Sequence, residues 1–240
     1  EFTKELGVIG GLGPLATAYF IEMVVKMTDA QFDYEHIPMV IYNKPDTPDR
    51  TKYILDKNMD NPLCAMMSLA KALEEQGVHY IAIPCVTAYY FYKELSEGIK
   101  IPIINMVDET AAYLKNRKIQ RVGIMATNGT ITGGFFRQGI EDLGIKVVEP
   151  SGKCQDKLMG IIYDGIKANK PFAMDDFCMI EKELRDKGAE VIVLGCTELS
   201  LIRRDFAIGT GFLDAMEVLA QKSVMLCSGK LKEEFNDIIT

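Results

Sequence analysis

Short apolar runs alternate along the chain with longer segments in which apolar residues recur at helical spacing. The runs at 6–9, 39–42 and 80–83 predict three buried strands in the first half, and those at 121–125, 145–148 and 191–194 predict three more. Of the helical segments between them, one begins at Pro14, where a missing N–H is tolerated, and another begins at Asn61-Pro62 and ends at Gly77. Strands that alternate with helices in this way predict parallel sheets covered on both faces.

The two halves of this pattern are similar. The stretch "VIGGLGPLAT" lies near the start of the first half and "GIMATNGTIT" near the start of the second, and each half ends its last strand at a cysteine, Cys85 or Cys196. The pattern predicts an α/β fold with two similar parallel-sheet domains, related by a pseudo-two-fold axis, with a site in the cleft between them. Residues 1–101 plus 212–240 form the predicted N-terminal domain, with a helix at 212–230 that returns to it, and 102–211 form the second.

Composition narrows the class of protein. The chain has 240 residues, 48% of them hydrophobic and 25% charged, which is ordinary for a globular protein. A net charge of −7 argues against a general nucleic-acid binder. No apolar run has the length of a membrane span, and the N-terminal segment lacks the layout of a signal peptide. We therefore expect a cytoplasmic protein that binds neither nucleic acid nor membrane.

The cysteines do not form a metal-binding pattern. The chain has 6 cysteines and 2 histidines with no CxxC pair, and zinc sites need closely spaced ligands, so no metal is expected. Free cysteines are commonly small core residues. This interpretation suits four of them, which lie in helical or irregular segments: Cys64, Cys154, Cys178 and Cys227.

Cys85 and Cys196 are candidate catalytic residues because both follow a buried strand. Ligands of parallel sheets bind at the carboxyl ends of the strands. A thiolate on one face of a substrate carbon can accept its proton while a thiol on the other face donates one. Such an inversion needs neither metal nor cofactor. A cysteine hydrolase would need a histidine base, and neither His36 nor His79 lies in a comparable position.

Further candidates are less specific when taken singly. The glycine-rich turn at 10–17 is neither GxGxxG nor a P-loop, but amides at a helix N-terminus also suit a carboxylate, and "TNGT" at 127–130 offers a second group of amides and hydroxyls. Arg50 and Lys167 are either solvated surface residues or carboxylate ligands. Glu198 is either a first-turn carboxylate favoured by the helix dipole or a group that orients the substrate.

Six motifs in this order resemble the aspartate/glutamate racemase family, and its aspartate racemase branch most closely: "GGLGPLAT", "PDRT", "IPCVTA", "ATNGT", "GIIYDGIKANK" and "LGCTELSLI". The similarity spans about residues 6–219. It implies two α/β domains, a homodimer, and cofactor-independent racemisation of an amino acid by Cys85 and Cys196. It also implies that Arg50 and Lys167 bind the side-chain carboxylate of aspartate. The remaining substrate-binding residues that it implies are Gly11, Leu12, Gly13, Thr17, Val86, Thr87, Thr127, Gly129, Thr130, Thr197 and Glu198.

The chain departs from the family pattern beside the first cysteine. The family has Pro-Cys-Asn-Thr-Ala-His, whereas this chain has Val86 for the asparagine and Tyr89 for the histidine. A lost hydrogen bond to the substrate costs about 1–3 kcal/mol if its partner is left unsatisfied. Near the end, Ala215 follows Asp214 where the family often has proline.

Three functional hypotheses follow. The first is a racemase of an acidic amino acid, with aspartate as the leading substrate. The second is a related racemase or isomerase with a broader or altered substrate, which Val86 and Tyr89 favour. The third is an amino-acid-binding protein with impaired catalysis, against which the presence of both Cys85 and Cys196 argues, because a binder needs no pair of thiols.

Overall fold

A computed structural model describes residues 3–240, so the first two residues of the predicted N-terminal domain lie outside the described part. Two parallel sheets carry the fold, as the alternation of strands and helices predicts. The strands are β1 (Leu6–Gly10), β2 (Met39–Asn43), β3 (Tyr80–Ala82), β4 (Arg121–Met125), β5 (Lys146–Val148), β6 (Val191–Leu194) and β7 (Phe212–Asp214). The first sheet has the order β2-β1-β3 and the second the order β5-β4-β6-β7.

Helices cover both sheets. They are α1 (Pro14–Met27), α2 (Arg50–Leu55), α3 (Leu63–Gln76), α4 (Tyr92–Glu97), α5 (Met106–Asn116), α6 (Asn128–Gly133), α7 (Phe135–Glu141), α8 (Gly152–Met159), α9 (Met174–Asp186), α10 (Thr197–Asp205) and α11 (Ala215–Cys227). A π-helix, Gly160–Lys167, continues α8, and 3-10 turns lie at Asp33–Glu35, Thr87–Phe91 and Glu233–Phe235. Within residues 3–240, no helix is long and apolar enough to cross a membrane.

The two sheets are built alike, and each gains a fourth segment from the chain that follows its last central strand. In the first sheet, Ile103 pairs with Ile81 of β3 as a parallel bridge, and in the second, β7 pairs with β6. Each segment leads into a capped helix. Asn105 caps α5 and Asp214 caps α11, each accepting hydrogen bonds from backbone N–H groups of the first turn. We call β1–β3 with α1–α4 the first lobe and β4–β7 with α6–α10 the second lobe.

The C-terminal segment differs in part from its prediction. Phe212–Asp214 is an edge strand of the second sheet, not the start of a helix, so the predicted helix at 212–230 begins too early. Helix α11 then packs against α1 and α5, and the Lys4 N–H donates to the Cys227 carbonyl at its end. The last helix thus contacts α1 of the first lobe as well as α5. The division of the chain into two domains stays a prediction.

Burial of apolar side chains accounts for the strand and helix boundaries. All of β1 and β6 are buried, as expected for central strands covered on both faces, and the edge strand β7 is buried as well. Helix α3 begins at Leu63, one residue later than expected, and Asn61 Oδ1 accepts a hydrogen bond from the Leu63 N–H. These packed sheets fix the carboxyl ends of their strands at the cleft between the lobes.

Candidate active site

Cys85 and Cys196 reach the cleft from equivalent strands of the two sheets. β3 ends at Ala82 and leads to Cys85, and β6 ends at Leu194 and leads to Cys196. The exposed fraction is 5% for Cys85 and 4% for Cys196. Both line one narrow space, the cysteine cleft, with a volume of about 10 Å³. This is about the room that one water needs, so the cleft is closed around its thiols.

The turn after β6 depends on a glycine. A Cβ at Gly195 would lie 3.0 Å from the Met125 carbonyl oxygen and 3.0 Å from the ring of Phe136. Only a residue without a side chain lets the strand end pass this close to β4. Cys196 then takes the N-cap position of α10, with extended backbone angles. Its thiol thus lies at the N-terminus of a buried helix.

Cys196, Glu198 and Lys167 form a hydrogen-bonded series. The Cys196 thiol donates to Glu198 Oε2 at 3.0 Å, and Lys167 Nζ donates to Glu198 Oε1 at 2.7 Å. Burial would raise the pKa of Glu198, but the Lys167 ammonium brings it below its ordinary value. Burial and the Glu198 charge raise the pKa of Cys196 well above its ordinary range. Cys196 is therefore a protonated thiol beside an ionised carboxylate at neutral pH.

Cys85 has the opposite kind of neighbour. Arg50, with an exposed fraction of 8%, is the first residue of α2, where Asp49 accepts from the Lys52 N–H as N-cap. Burial would lower the pKa of Arg50, but the charges of Cys85 and Asp49 raise it, so the guanidinium remains cationic beside Cys85. The two thiols thus have environments of opposite charge.

Threonine hydroxyls line the same cleft. Thr87 Oγ1 lies 2.8 Å from Thr127 Oγ1 and 3.2 Å from Thr130 Oγ1, which joins the strand-end turns of the two lobes. The hydroxyls of Thr51 and Thr197 are buried and have no hydrogen-bond partner in the described part of the chain. Buried polar groups are normally satisfied. These two hydroxyls are therefore available to a bound polar ligand.

The π-helix brings two side chains of the second lobe to the cleft. Tyr163 and Lys167 are four residues apart, and the wider turn of a π-helix places such a pair on one face. Tyr163 Oη donates to Asp49 Oδ2 at 3.1 Å, and Lys167 Nζ lies 5.6 Å from the centre of the Tyr163 ring. Burial and Asp49 raise the pKa of Tyr163, which stays a neutral donor. This hydrogen bond ties α2 to the second lobe.

A second space, the outer cavity, adjoins the cysteine cleft and has a volume of about 250 Å³. Arg50, Lys167 and Glu198 line both spaces and so form the boundary between them. The remaining lining residues of the outer cavity are Gly11, Gly13, Pro14, Leu15, Ala16, Pro45, Thr47, Asp49, Ile166 and Leu201.

The structure brings most of the sequence-predicted site residues to these two spaces. The cysteine cleft is lined by Leu12, Arg50, Cys85, Val86, Thr87, Thr127, Lys167, Cys196, Thr197 and Glu198. Gly11 and Gly13 line the outer cavity.

Three predicted residues line neither space and have supporting contacts instead. The Thr17 hydroxyl accepts from the Gly11 N–H at 2.9 Å and donates to the Gly13 carbonyl at 3.0 Å, which holds the glycine-rich turn. Gly129 lies against Thr51, and Thr130 bonds to Thr87. Substrate binding by these three residues stays a prediction.

Sequence reasoning missed Thr51 and Tyr163, both of which line the cysteine cleft. Their positions in the sequence could have identified them, because Thr51 follows the candidate Arg50 and Tyr163 precedes the candidate Lys167 by four residues. The tyrosines after Cys85 do not replace the missing asparagine. Tyr89 Oη donates to the Ile104 carbonyl at 2.8 Å, and Tyr90 Oη accepts from Lys57. Val86 therefore stays an apolar surface in the cleft.

Within residues 3–240, no group of three or more His, Cys, Asp and Glu side chains is arranged to hold a metal ion.

Comparison with known proteins points to one family. The family model described as Asp/Glu/Hydantoin racemase matches residues 9–223. The structure is similar to that of aspartate racemase from Picrophilus torridus, with 32% identity, a TM-score of 0.85, and coverage of 97% of this chain and 98% of that one.

Sequence relatives include racemases with other substrates. The chain is 25% identical over 229 residues to the broad specificity amino-acid racemase RacX of Bacillus subtilis, which covers 91% of this chain and 96% of the relative. It is 28% identical over 171 residues to a glutamate racemase of Deinococcus radiodurans, covering 67% of this chain and 58% of the relative.

Proposed function

Because the chain belongs to the Asp/Glu/hydantoin racemase family, we propose that it interconverts the enantiomers of an acidic amino acid, with aspartate as the first choice. The reaction uses Cys85 and Cys196 as the two proton-transfer groups and needs no cofactor. The observation that carries this proposal is the pair of buried thiols, one from each lobe, in a single narrow cleft.

The reaction balances as two proton transfers. One cysteine begins as the thiolate and takes the α-proton, which leaves the electron pair on the α-carbon. The opposite thiol then gives its proton to the other face of that carbon and becomes the thiolate. The amino acid is inverted, and the enzyme ends with the opposite protonation of its two cysteines. General acid–base catalysis of this kind needs groups within hydrogen-bond reach of the reacting carbon.

Charged neighbours differ between the two cysteines. The Arg50 guanidinium lies beside Cys85, while burial and Glu198, which accepts a hydrogen bond of 3.0 Å from the Cys196 thiol, raise the pKa of Cys196. Cys196 is thus prepared to donate a proton. Lys167 keeps Glu198 ionised, so Glu198 stabilises the Cys196 thiol without donating a proton to it.

The lining of the cleft supports an acidic substrate. Arg50 and Lys167 stand at its boundary, and both are cationic. Arg forms charge-assisted hydrogen bonds with carboxylates, and Arg50 Nε has no hydrogen-bond partner among residues 3–240. The free hydroxyls of Thr51 and Thr197 are available for the α-carboxylate and ammonium groups. A cleft of about 10 Å³ does not hold an amino acid, and we propose that the lobes separate to admit the substrate.

Location and assembly follow from the family resemblance and the composition. We propose a cytoplasmic homodimer. The net charge of −7 disfavours nucleic acid as a partner.

A second candidate is a racemase of broader or altered specificity. Val86 favours it, because this apolar residue lines the cleft where the family has an asparagine amide. Similarity to a broad specificity amino-acid racemase points the same way. An amino-acid-binding protein with impaired catalysis remains the third candidate, and the two opposed thiols argue against it.

Deuterium exchange separates the three candidates. The protein is incubated in D₂O with L- and D-aspartate, with glutamate and with neutral amino acids, and deuterium at the α-carbon is followed by NMR while chirality is followed by chromatography. Exchange with aspartate that disappears in Cys85→Ser and Cys196→Ser supports the first candidate. Exchange confined to another amino acid supports the second, and binding without any exchange overturns both enzymatic candidates.

A further inference from the structure

The outer cavity contains the N-terminus of α1. Gly13, Pro14, Leu15 and Ala16 line it, and α1 runs for 14 residues from Pro14. The first intrahelical hydrogen bond is donated by Thr17 to Gly13, so the N–H groups of Leu15 and Ala16 precede it. No side chain in the described part of the chain caps this end. The helix therefore presents free donors and the positive end of its dipole to the cavity.

Arg50, at the boundary between the outer cavity and the cysteine cleft, provides a second sign of a ligand. It lines the outer cavity with an exposed fraction of 8%, and its Nε atom is buried without a hydrogen-bond partner among residues 3–240. Its terminal nitrogens are already used, since Nη1 donates to the Pro48 carbonyl at 2.9 Å and Nη2 to that of Leu12 at 3.2 Å. A buried cationic donor without an acceptor favours an anion.

The outer cavity also has an apolar wall. Leu15, Ile166 and Leu201 line it, and they line a neighbouring surface groove as well. A ligand that extends from the cysteine cleft therefore passes Arg50 and Lys167 and then meets apolar side chains next to the free amides of α1. Methylene groups followed by a carboxylate match that order. Each methylene removed from water improves binding about fourfold.

We infer that the outer cavity is a subsite for the side chains of dicarboxylic amino acids longer than aspartate and glutamate, with the terminal carboxylate at the N-terminus of α1. This inference rests on the proposed function, because the α-carbon of the ligand must lie between the two cysteines. The first probe of the subsite is 2-aminoadipate. Like aspartate, it has an α-amino acid group and a terminal carboxylate, but its side chain has two more methylene groups.

The direct test fills the cavity. Leu15 has an exposed fraction of 48%, so Leu15→Trp adds bulk at the cavity with little strain on the core. Leu143→Trp is the matched control, because Leu143 has an exposed fraction of 37% and lines neither space. Affinities for L-aspartate and L-2-aminoadipate are measured by calorimetry, and α-deuterium exchange in D₂O is measured for both.

We expect the unmodified protein to bind and exchange 2-aminoadipate. In Leu15→Trp, the affinity for 2-aminoadipate relative to the affinity for aspartate falls at least tenfold. In Leu143→Trp, this ratio is unchanged. Norleucine, a straight-chain amino acid without the terminal carboxylate, binds at least tenfold more weakly than 2-aminoadipate. The inference is overturned if norleucine binds as tightly as 2-aminoadipate. It is also overturned if Leu15→Trp lowers the affinities for 2-aminoadipate and aspartate by the same factor.

The failures of the two proposals are distinguishable. Exchange of aspartate without binding of 2-aminoadipate overturns the subsite alone. Absence of exchange with every acid overturns the proposed function and, with it, the subsite.

Discussion

The Cys196 thiol and Glu198 are joined by a hydrogen bond of 3.0 Å at the N-terminus of one helix. Burial and the carboxylate charge raise the pKa of Cys196, so the thiol keeps its proton. Cys85 instead lies beside the Arg50 cation. The two cysteines are equivalent in the topology of the sheets but not in charge. In the proposed mechanism, this difference makes Cys196 the first proton donor.

Glu198→Gln tests the effect of this contact on Cys196. Loss of the negative charge removes a cause that raises the pKa of Cys196, so the Cys196 thiolate forms at lower pH. The measurement is the ultraviolet absorbance of the thiolate against pH in a Cys85→Ser background. Glu22→Gln, on the exposed side of α1, is the control. An unchanged titration in Glu198→Gln would show that the carboxylate does not govern this thiol.

Arg50→Ala tests the acidic side-chain site. Hydrogen bonds to charged groups contribute about 1.5–3 kcal/mol, so kcat/KM for aspartate falls about 10- to 150-fold. Turnover of any neutral amino acid falls much less, because it has no side-chain carboxylate. Arg117→Ala removes an exposed ion pair with Asp237 and is the control. Equal losses for aspartate and neutral substrates would exclude Arg50 from this role.

Val86→Asn restores the amide of the family pattern. Val86 lines the cleft and is buried, so an asparagine there faces the substrate. A gained hydrogen bond contributes about 0.5–1.5 kcal/mol, so kcat/KM for aspartate rises about two- to tenfold. Steady-state kinetics on L- and D-aspartate check this, with Val25→Asn on the exposed face of α1 as control. A fall in kcat/KM would mean that the cleft is adapted to an apolar residue at this position.

Gly129→Ala tests the contact between α2 and α6. A Cβ at Gly129 would lie 2.7 Å from Thr51 Oγ1 and 2.9 Å from Thr51 Cα. Overpacking of this kind lowers the free energy of unfolding by about 1–3 kcal/mol. Gly152→Ala at the start of α8 is the matched control, because a Cβ there meets no atom within 4 Å. Urea denaturation of both variants checks the prediction, and equal stability would contradict it.

Glu217 is expected to make stability depend on pH. Burial and the Asp214 charge raise the pKa of Glu217, although Arg203 at 3.2 Å opposes the shift. The folded protein therefore holds this proton more tightly than the unfolded chain does. Its contribution is complete below the ordinary pKa of about 4.3, and is lost as the pH rises through the raised value.

Glu217→Gln removes this dependence, so the free energy of unfolding falls less between about pH 5 and about pH 8 in the variant. Urea denaturation at several pH values checks it. Exposed Glu22→Gln keeps the original slope. If Glu217→Gln keeps that slope as well, the carboxyl does not retain its proton on folding.

The sequence predicts the two sheets, and it predicts that Cys85 and Cys196 follow the ends of strands, because these features depend on local patterns. Apolar runs, the glycine-rich turn and the proline at the start of α1 are all visible without the fold. The strand at Phe212–Asp214 was missed because its three apolar or capping residues continue into the apolar pattern of α11. A strand this short is defined by its neighbour β6, not by its own composition.

The outer cavity and the contacts of Tyr163 with Asp49 depend on residues far apart in sequence. Tyr163 reaches Asp49, 114 residues earlier, only because a π-helix turns it toward α2. Propensity does not reveal such a turn. Likewise, the sequence predicts the N-terminus of α1 and so its free amides. It does not predict the cavity in front of them, because α10 and the π-helix of the second lobe contribute to its lining.

The two-thiol mechanism is tested most directly by where deuterium enters during early turnover. L-aspartate is converted in D₂O to a small extent, and the hydrogen at the α-carbon is measured in both the D-product and the remaining L-substrate. Two opposed thiols predict product that carries deuterium almost completely while the substrate retains its original hydrogen, because the proton is taken by one cysteine and replaced by the other. Product that retains the substrate's own proton, or substrate labelled as fast as product, would mean that a single group serves both faces and would contradict the account.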